Sequence, residues 1–258
     1  SVSWLYYSDR LMEFPLGVFG VALSTVILPN LSRKFAGGDP QAFSHTLDWA
    51  LRLAVIITLP AALGLAALSK PILVTLFQYD AFEVSDVNMS AMSLVAYATG
   101  LPAFIAVKVL APGFYARQDT KTPVKIAIAS MVSNMGMNLL FVGALLAVGF
   151  SGPHTGLALA SSAAAYVNAG LLYRVLRKQG VYSPEPGWSR VWLAVVLACV
   201  AMGAALSWQY GDLLGWVAAP AARRATHLFG LIGFGALVYG TTLLLGGLRP
   251  GHVSKGSS

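Results

Sequence analysis

The chain alternates long apolar stretches with short polar segments, and seven of the stretches are long enough to cross a bilayer. An α-helix rises 1.5 Å per residue, so about 20 apolar residues cross a hydrocarbon core of roughly 30 Å. The predicted spans are residues 4–31, 51–68, 87–111, 124–150, 155–173, 191–208 and 227–248. The pattern therefore predicts an all-α integral membrane protein, built as a polytopic bundle of about seven transmembrane helices.

The segments between the spans carry expectations of their own. A helix N-cap is expected at Ser44, at the start of an amphipathic lead-in to the second span. The apolar piece 72–77 is too short to cross a bilayer and is expected to lie in the interface or to pack on the bundle. Prolines exclude helix from 182–187, which predicts a rigid linker, and a loop is predicted over 209–226. Residues 251–258 are expected to form a short disordered tail.

The composition supports an integral membrane protein and limits the kinds of partner that it is expected to bind. Charged residues make up 10% of the chain and hydrophobic residues 57%, whereas soluble domains carry about 25% charged residues. The net charge of +7 suits anionic lipid headgroups. Because no basic patch interleaved with aromatic residues stands out, membrane lipids are expected as partners and nucleic acid is not.

Lysine and arginine are unevenly distributed between alternate loops, with twelve in one set and three in the other. Positive residues concentrate in cytoplasmic loops, so the richer set is predicted to be cytoplasmic. This orientation places the N-terminus outside the cell and the C-terminus inside. A chain that starts outside without a signal peptide or an initiator methionine is expected to be a piece of a longer protein.

Three charges, Asp9, Arg10 and Glu13, lie at the start of the first span, and no charge follows them before residue 32. A charged side chain at membrane depth costs at least ~2.5 kcal/mol and usually faces a water-filled cavity or a partner. Alternatively, the helix starts at the membrane surface and the charges lie among headgroups. A guanidinium can bind phosphate through two hydrogen bonds, and Glu13 is placed at i+3 to hold Arg10.

Two further spans carry isolated polar groups. Lys108 lies deep in the third span, where a lysine either meets a polar substrate or extends its amine to the membrane surface. Asn134 and Asn138 lie one turn apart on the fourth span. Their side chains could coordinate a small cation or form hydrogen bonds between helices. The sequence leaves both alternatives open at each position.

The residues give little support to a catalytic function. The histidines are isolated, and the sequence has no P-loop, no zinc-binding HExxH motif and no nucleophile elbow. A membrane enzyme of lipid-linked sugar metabolism would need clustered carboxylates, which the sequence does not provide. No catalytic residue, cofactor or metal site is therefore expected, and a scaffold without a substrate is a further alternative.

Two long motifs carry a family resemblance. Residues 7–23 have the sequence YSDRLMEFPLGVFGVAL, and residues 108–125 have the sequence KVLAPGFYARQDTKTPVK. Both resemble the MurJ (MviN) family of bacterial lipid II flippases, and the similarity extends over nearly the whole chain. The family has a fourteen-helix fold of the multidrug/oligosaccharidyl-lipid/polysaccharide exporter class, with two six-helix lobes and two extra C-terminal helices.

The resemblance implies a place for this chain within that fold. It looks like helices eight to fourteen, without the N-terminal lobe and the first helix of the second lobe. Residues 1–180 would then form the C-terminal lobe and 181–250 the two extra helices, which in the family form a hydrophobic groove suited to an undecaprenyl tail. The missing N-terminal lobe would be a partner.

The resemblance also implies a function: moving lipid II, an undecaprenyl-diphosphate-linked disaccharide pentapeptide, across the bacterial inner membrane by alternating access. Arg10 matches an arginine expected to meet the diphosphate, and Glu13 would tune it. In some members a sodium site uses an asparagine and an aspartate one turn apart, and here those positions look like Asn134 and Asn138. Because the carboxylate is missing, a sodium site is not expected, while coupling to another ion or to the membrane potential stays open. Another lipid-linked oligosaccharide or drug exporter of the same fold is the alternative.

Overall fold

All regular structure is helical within residues 2–79 and 82–247, the part of the chain that the computed structural model describes. In chain order the helices are α1 (Val2–Ala36), α2 (Pro40–Ala67), α3 (Ser69–Phe77), α4 (Val84–Tyr115), α5 (Lys121–Ala147), α6 (Thr155–Lys178), α7 (Trp188–Gln209), α8 (Leu213–Ala218) and α9 (Ala221–Leu245). Seven of them, all but α3 and α8, are long and apolar enough to cross a membrane. The predicted class, an all-α membrane bundle, is confirmed. The predicted tail at 251–258 lies outside the described residues.

The N-cap prediction for α2 is wrong. The helix begins at Pro40, and the side chain of Asp39 accepts a hydrogen bond of 2.9 Å from the amide of Ala42. Aspartate at the N-cap followed by proline at the first helical position is a favoured helix start, because proline lacks the amide that would otherwise need a partner. Ser44 lies inside α2, where its hydroxyl accepts a hydrogen bond of 2.9 Å from the amide of Ser183.

The two short helices had different outcomes. The apolar piece 72–77 lies in α3, which packs on the bundle against α4 and α9. This is one of the two placements predicted for it. The loop prediction over 209–226 is wrong, since α8 forms within it and α9 already begins at Ala221. Trp216 explains the difference, because its ring is buried and its indole nitrogen donates to the carbonyl of Tyr210 at 2.9 Å.

Helices α1, α2, α4 and α6 share one hydrophobic core, and α4 and α6 approach each other closely within the bundle. A Cβ added at Gly100 would lie 2.8 Å from the Cα of Ser162, so the two backbones leave no room for a side chain. The hydroxyl of Ser162 donates to the carbonyl of Ala96 at 2.8 Å. Small residues and hydroxyl bonds of this kind are how membrane helices associate without a hydrophobic driving force.

A second core cluster holds the last two long helices. Met202 and Leu206 of α7 and Leu231 of α9 pack in one buried cluster with residues of α3 and α4. Residues 182–187 are not helical, as predicted, and they lead from α6 directly into α7. The α7–α9 pair is thus joined to the rest of the bundle by apolar packing and by this connection.

Candidate functional site

The charged residues of α1 form a local ion pair near the start of the helix. The Nη1 atom of Arg10 lies 2.9 Å from the Oε2 atom of Glu13, and the guanidinium stands 5.2 Å from the ring centroid of Tyr6. The side chains of Arg10 and Glu13 are 58% and 50% exposed. The structure therefore brings together the two residues predicted as an i,i+3 pair and leaves Arg10 accessible to an anion. Asp9 is half-buried.

The N-terminal end of α1 is fixed to α4 by two polar contacts. The indole nitrogen of Trp4 donates to Oδ1 of Asp86 at 2.7 Å. The hydroxyl of Ser8, which is buried, donates to the carbonyl of Ser90 at 2.7 Å. Because these contacts hold the same turns that carry Arg10, the guanidinium projects from a backbone that is held at a defined position.

Arg10 and Glu13 belong to a stripe along one face of α1, which continues through Gly17, Gly20 and Ser24. The spacing of three and four residues places all five on the same side of the helix. A Cβ added at Gly20 would lie 2.6 Å from Cδ of Lys108, so the lysine stem of α4 passes directly over this glycine. The α1 stripe thus carries one cation of its own and a second contributed by α4, about 15 Å further along the axis.

Lys108 also lines a cavity of about 460 Å³ between α1, α4, α5 and α6. Leu16, Ser130, Asn134 and Asn168 are among the other lining residues. The structure therefore places Lys108 and Asn134 in the wall of the same cavity. The sequence, in which they lie on different spans, did not predict this proximity. Arg10, Glu13 and Asn138 are not among the residues that line this cavity.

The hydrogen bonding on α5 separates its serine from its asparagines. Ser130 donates across the helix interface to the carbonyl of Ala164 at 2.7 Å. The side-chain oxygens of Asn134 and Asn138 are buried, and neither has a hydrogen-bond partner within the described residues. Bonding between helices thus accounts for Ser130 and not for the asparagine oxygens. A buried acceptor without a partner costs about 1–3 kcal/mol.

In the part of the chain that the structure describes, no three His, Cys, Asp or Glu side chains are grouped so that they could hold a metal ion. The polar groups of the α1 stripe and of the adjoining cavity are two cations, amides, hydroxyls and one carboxylate, Glu13, which is paired with Arg10. This donor set is suited to binding an anionic or sugar-bearing ligand.

One polar site was missed from the sequence. Asp48 is 1% exposed, and its carboxylate accepts from the hydroxyl of Tyr182 at 2.7 Å and the indole nitrogen of Trp188 at 2.8 Å. It also accepts from the amide of Glu185 at 3.2 Å and from Nε of Arg52 at 2.6 Å. We call these five residues the Asp48 node. Burial, together with the hydrogen bond to Asp48, raises the pKa of Tyr182.

The sequence contained a partial signal for this node. Asp48 and Arg52 are spaced i,i+4 at the start of an apolar span, which predicts an ion pair on one helix face. The partners in the linker and at the start of α7 are more than 130 residues away in sequence. No local pattern could therefore pair Asp48 with Tyr182 or Trp188.

These features define a class: a multi-pass helical membrane protein with an accessible arginine–glutamate pair on one helix and a neighbouring cavity lined in part by lysine, serine and asparagine side chains. The family profile described as "Lipid II flippase MurJ" matches residues 1–218. The chain therefore belongs to the MurJ family.

Relatives named for the same activity are similar over almost all of this chain. A "Probable lipid II flippase MurJ" of Vibrio cholerae is 47% identical over 251 residues, which are 96% of this chain and 46% of that protein. The "Lipid II flippase MurJ" of Burkholderia cenocepacia is 40% identical over 248 residues, 95% of this chain and 47% of that protein. The chain spans about half the length of the curated relatives it matches.

A solved structure described as "Lipid II flippase MurJ, inward closed conformation" has a similar fold. It matches with a TM-score of 0.71 at 27% identity, over 93% of this chain and 46% of that chain. The match in fold and the sequence relatives thus agree on the same family.

Proposed function

We propose that this chain is the C-terminal portion of a lipid II flippase, which moves the undecaprenyl-diphosphate-linked peptidoglycan precursor from the inner to the outer leaflet by alternating access. The family membership and the names of the relatives support this substrate. The observation that carries the proposal is the accessible Arg10–Glu13 pair on the α1 stripe. The activity is transport, so no bond of the substrate is made or broken.

In this proposal the α1 stripe faces a second, N-terminal lobe, and the substrate headgroup lies between the two lobes. Residues 1–180 belong to the C-terminal lobe and 181–250 form the extra helix pair. The coverage of about half of each relative supports a partner lobe. The exposed apolar residues of α1 that flank the stripe, such as Phe14, Val18 and Val21, suit packing against further helices.

Arg10 is the proposed contact for the diphosphate. A guanidinium offers a fork of donors that matches phosphate oxygens, and Glu13 orients it by a 2.9 Å contact. Lys108, about 15 Å along the α1 stripe, supplies a second positive charge for a headgroup that extends along the helix. Asn134 lines the adjoining cavity and provides a hydrogen-bonding group for the uncharged part of the headgroup.

The proposed location is the bacterial inner membrane, with the C-terminus in the cytoplasm. The asymmetry of lysine and arginine between alternate loops supports this orientation.

Replacing Arg10 by alanine tests the proposal. In the two-lobe protein, Arg10→Ala should abolish growth of cells depleted of their own flippase, and it should weaken lipid II binding in native mass spectrometry by about tenfold. Arg33→Ala, which removes an exposed arginine at the other end of α1, is the matched control and should behave like the wild type.

Two results would contradict the proposal. Normal growth with Arg10→Ala would remove Arg10 from the substrate site. Failure of the wild-type protein to bind lipid II would favour another lipid-linked cargo or a drug exporter of the same fold.

A further inference from the structure

A larger cavity, of about 700 Å³, lies between α2, α4, α6 and the start of α7. Its walls are mainly aliphatic and aromatic, and they include Leu51, Val55, Tyr166, Tyr173 and Trp192. No described residue of α1 or α9 lines it, so it is separate from the α1 stripe and from any groove between α7 and α9. We call it the lateral cavity. Its volume is within the range of about 300–1,000 Å³ typical of small-molecule sites.

The lateral cavity is amphipathic along the axis of α6. Tyr166, Gly170 and Tyr173 follow one another on the wall of the cavity. One turn further on, Nη1 of Arg177 lies 3.5 Å from the hydroxyl of Tyr173. The distance along the helix from Tyr166 to Arg177 is about 16 Å, close to half of a hydrocarbon core of roughly 30 Å. The residues of α6 that line the cavity, from Tyr166 to Tyr173, span about 10 Å, and the guanidinium of Arg177 lies just beyond them. The wall and the adjoining cation together therefore span about one leaflet.

The polar end also carries three residues of the Asp48 node, from the linker and the start of α7. Tyr182, Glu185 and Trp188 line the cavity there, and the hydrogen bonds to Asp48 hold all three. The carboxylate of Glu185 lies 3.8 Å from the imidazole of His45, so the negative charge at this rim has a basic neighbour. Aromatic residues and cations at this level are typical of the boundary between hydrocarbon and headgroups.

We infer that the lateral cavity binds a glycerophospholipid of the cytoplasmic leaflet, with an acyl chain between Tyr166 and Trp192 and its phosphate at Arg177. The distance of about 16 Å from Tyr166 to Arg177 suits an acyl chain confined to one leaflet, and the guanidinium beside the rim complements a phosphate. This assignment does not depend on the proposed transport substrate.

Gly170 allows the cavity to be filled without displacing other atoms. A Cβ added there meets no heavy atom within 4 Å, and the position lines the cavity. Gly170→Phe should therefore fold normally and occupy the space of the acyl chain. Gly143→Phe on α5 is the matched control, because its added Cβ also meets nothing within 4 Å and it does not line the cavity.

The experiment is native mass spectrometry of the intact protein in a mild detergent with added phosphatidylglycerol. The wild type and Gly143→Phe should each retain one additional, tightly bound phosphatidylglycerol molecule compared with Gly170→Phe. Retention at that site should fall at least fivefold in Gly170→Phe. Equal retention by all three proteins would overturn the inference. Loss of lipid II rather than phosphatidylglycerol in Gly170→Phe would also overturn it, since the cavity would then hold the isoprenoid chain.

The headgroup assignment is tested separately. Arg177→Gln should lower phosphatidylglycerol retention severalfold and Arg177→Lys should restore part of it, whereas Lys121→Gln, a cation at the start of α5, should have no effect. Equal retention by Arg177→Gln and the wild type, or equal loss in Lys121→Gln, would overturn the role of Arg177. Unchanged size-exclusion profiles and thermal unfolding would show that each variant is folded.

Discussion

Asp48 is a buried charged side chain whose hydrogen bonds are extensive. Four donors converge on a carboxylate that is 1% exposed, and three of them come from the linker before α7 or the first turn of that helix. A buried charge is tolerated only when its pairing and hydrogen bonding are this complete. The Asp48 node therefore fixes where α7 leaves the five preceding spans.

Removing the carboxylate should be strongly destabilising. Asp48→Ala leaves the guanidinium of Arg52 without its ion pair and two aromatic donors without an acceptor, and breaking a buried pair in this way costs about 3–5 kcal/mol. We expect a clear drop in the midpoint of thermal unfolding, measured in detergent. Asp119→Ala is the control, since that carboxylate accepts from the amide of Thr122 in the first turn of α5, and the loss of one such cap, about 1 kcal/mol, should lower the midpoint much less. A midpoint equal to that of the wild type in Asp48→Ala would contradict a structural role for the node.

At the level of single residues, the sequence could predict pairs that are local and not those that are distant. Arg10 and Glu13 are three positions apart on one helix, so their contact follows from helical geometry alone. Whether the side-chain oxygens of Asn134 and Asn138 have a hydrogen-bond partner depends on how the other helices pack against α5, which no local pattern specifies.

At the level of the helices, two glycines of this bundle make room for different kinds of neighbour. A Cβ at Gly100 would meet the backbone of α6, 2.8 Å from the Cα of Ser162. A Cβ at Gly20 would meet Cδ of Lys108, a flexible side chain that can move away. The same substitution is therefore expected to have different consequences at the two sites.

Gly100→Ala should lower the free energy of unfolding by about 1–3 kcal/mol, because α4 and α6 must separate to admit the methyl group. Gly20→Ala should leave stability nearly unchanged while displacing the Lys108 stem from the α1 stripe. Thermal unfolding of both variants beside the wild type measures the difference. Equal destabilisation would show that the lysine stem is held as rigidly as a backbone.

The long helices could be predicted from the sequence because each coincides with a continuous apolar run, and in a membrane every backbone group must be bonded within the helix. Helix α8 could not, because a six-residue helix has no periodic pattern long enough to detect. Its position depends on burial of Trp216 against α3 and α9, a tertiary effect. The start of α2 could have been predicted from the sequence, since Asp39 followed by Pro40 is a common beginning of a helix.

At the level of the whole molecule, the loops rich in lysine and arginine meet at one end of the bundle. The side chain of Arg117, between α4 and α5, donates to that of Gln179, after α6, at 2.8 Å. The turn between α1 and α2 lies at the same end of the bundle, because Asp39 lines a pocket that Arg117 and Gln179 also line. The charge asymmetry that the sequence predicted between loops is therefore a charge difference between the two ends of a folded bundle.

This arrangement predicts which loops a reagent outside the cell can reach. Ser151 and Gln179 are both exposed and lie in the loops that precede and follow α6, so they lie at opposite ends of that span. In a Cys199→Ser background, a membrane-impermeant maleimide should label Ser151→Cys in intact spheroplasts and should label Gln179→Cys only after lysis. A cytoplasmic enzyme that stays inside the spheroplasts controls for leakage. The reverse pattern would place the loop after α6 outside. The 2.8 Å contact of Gln179 with Arg117 keeps two of the basic loops on the same side of the membrane. The reverse pattern would therefore mean that the whole bundle has the opposite orientation. Arg177 and the lateral cavity would then lie in the outer leaflet.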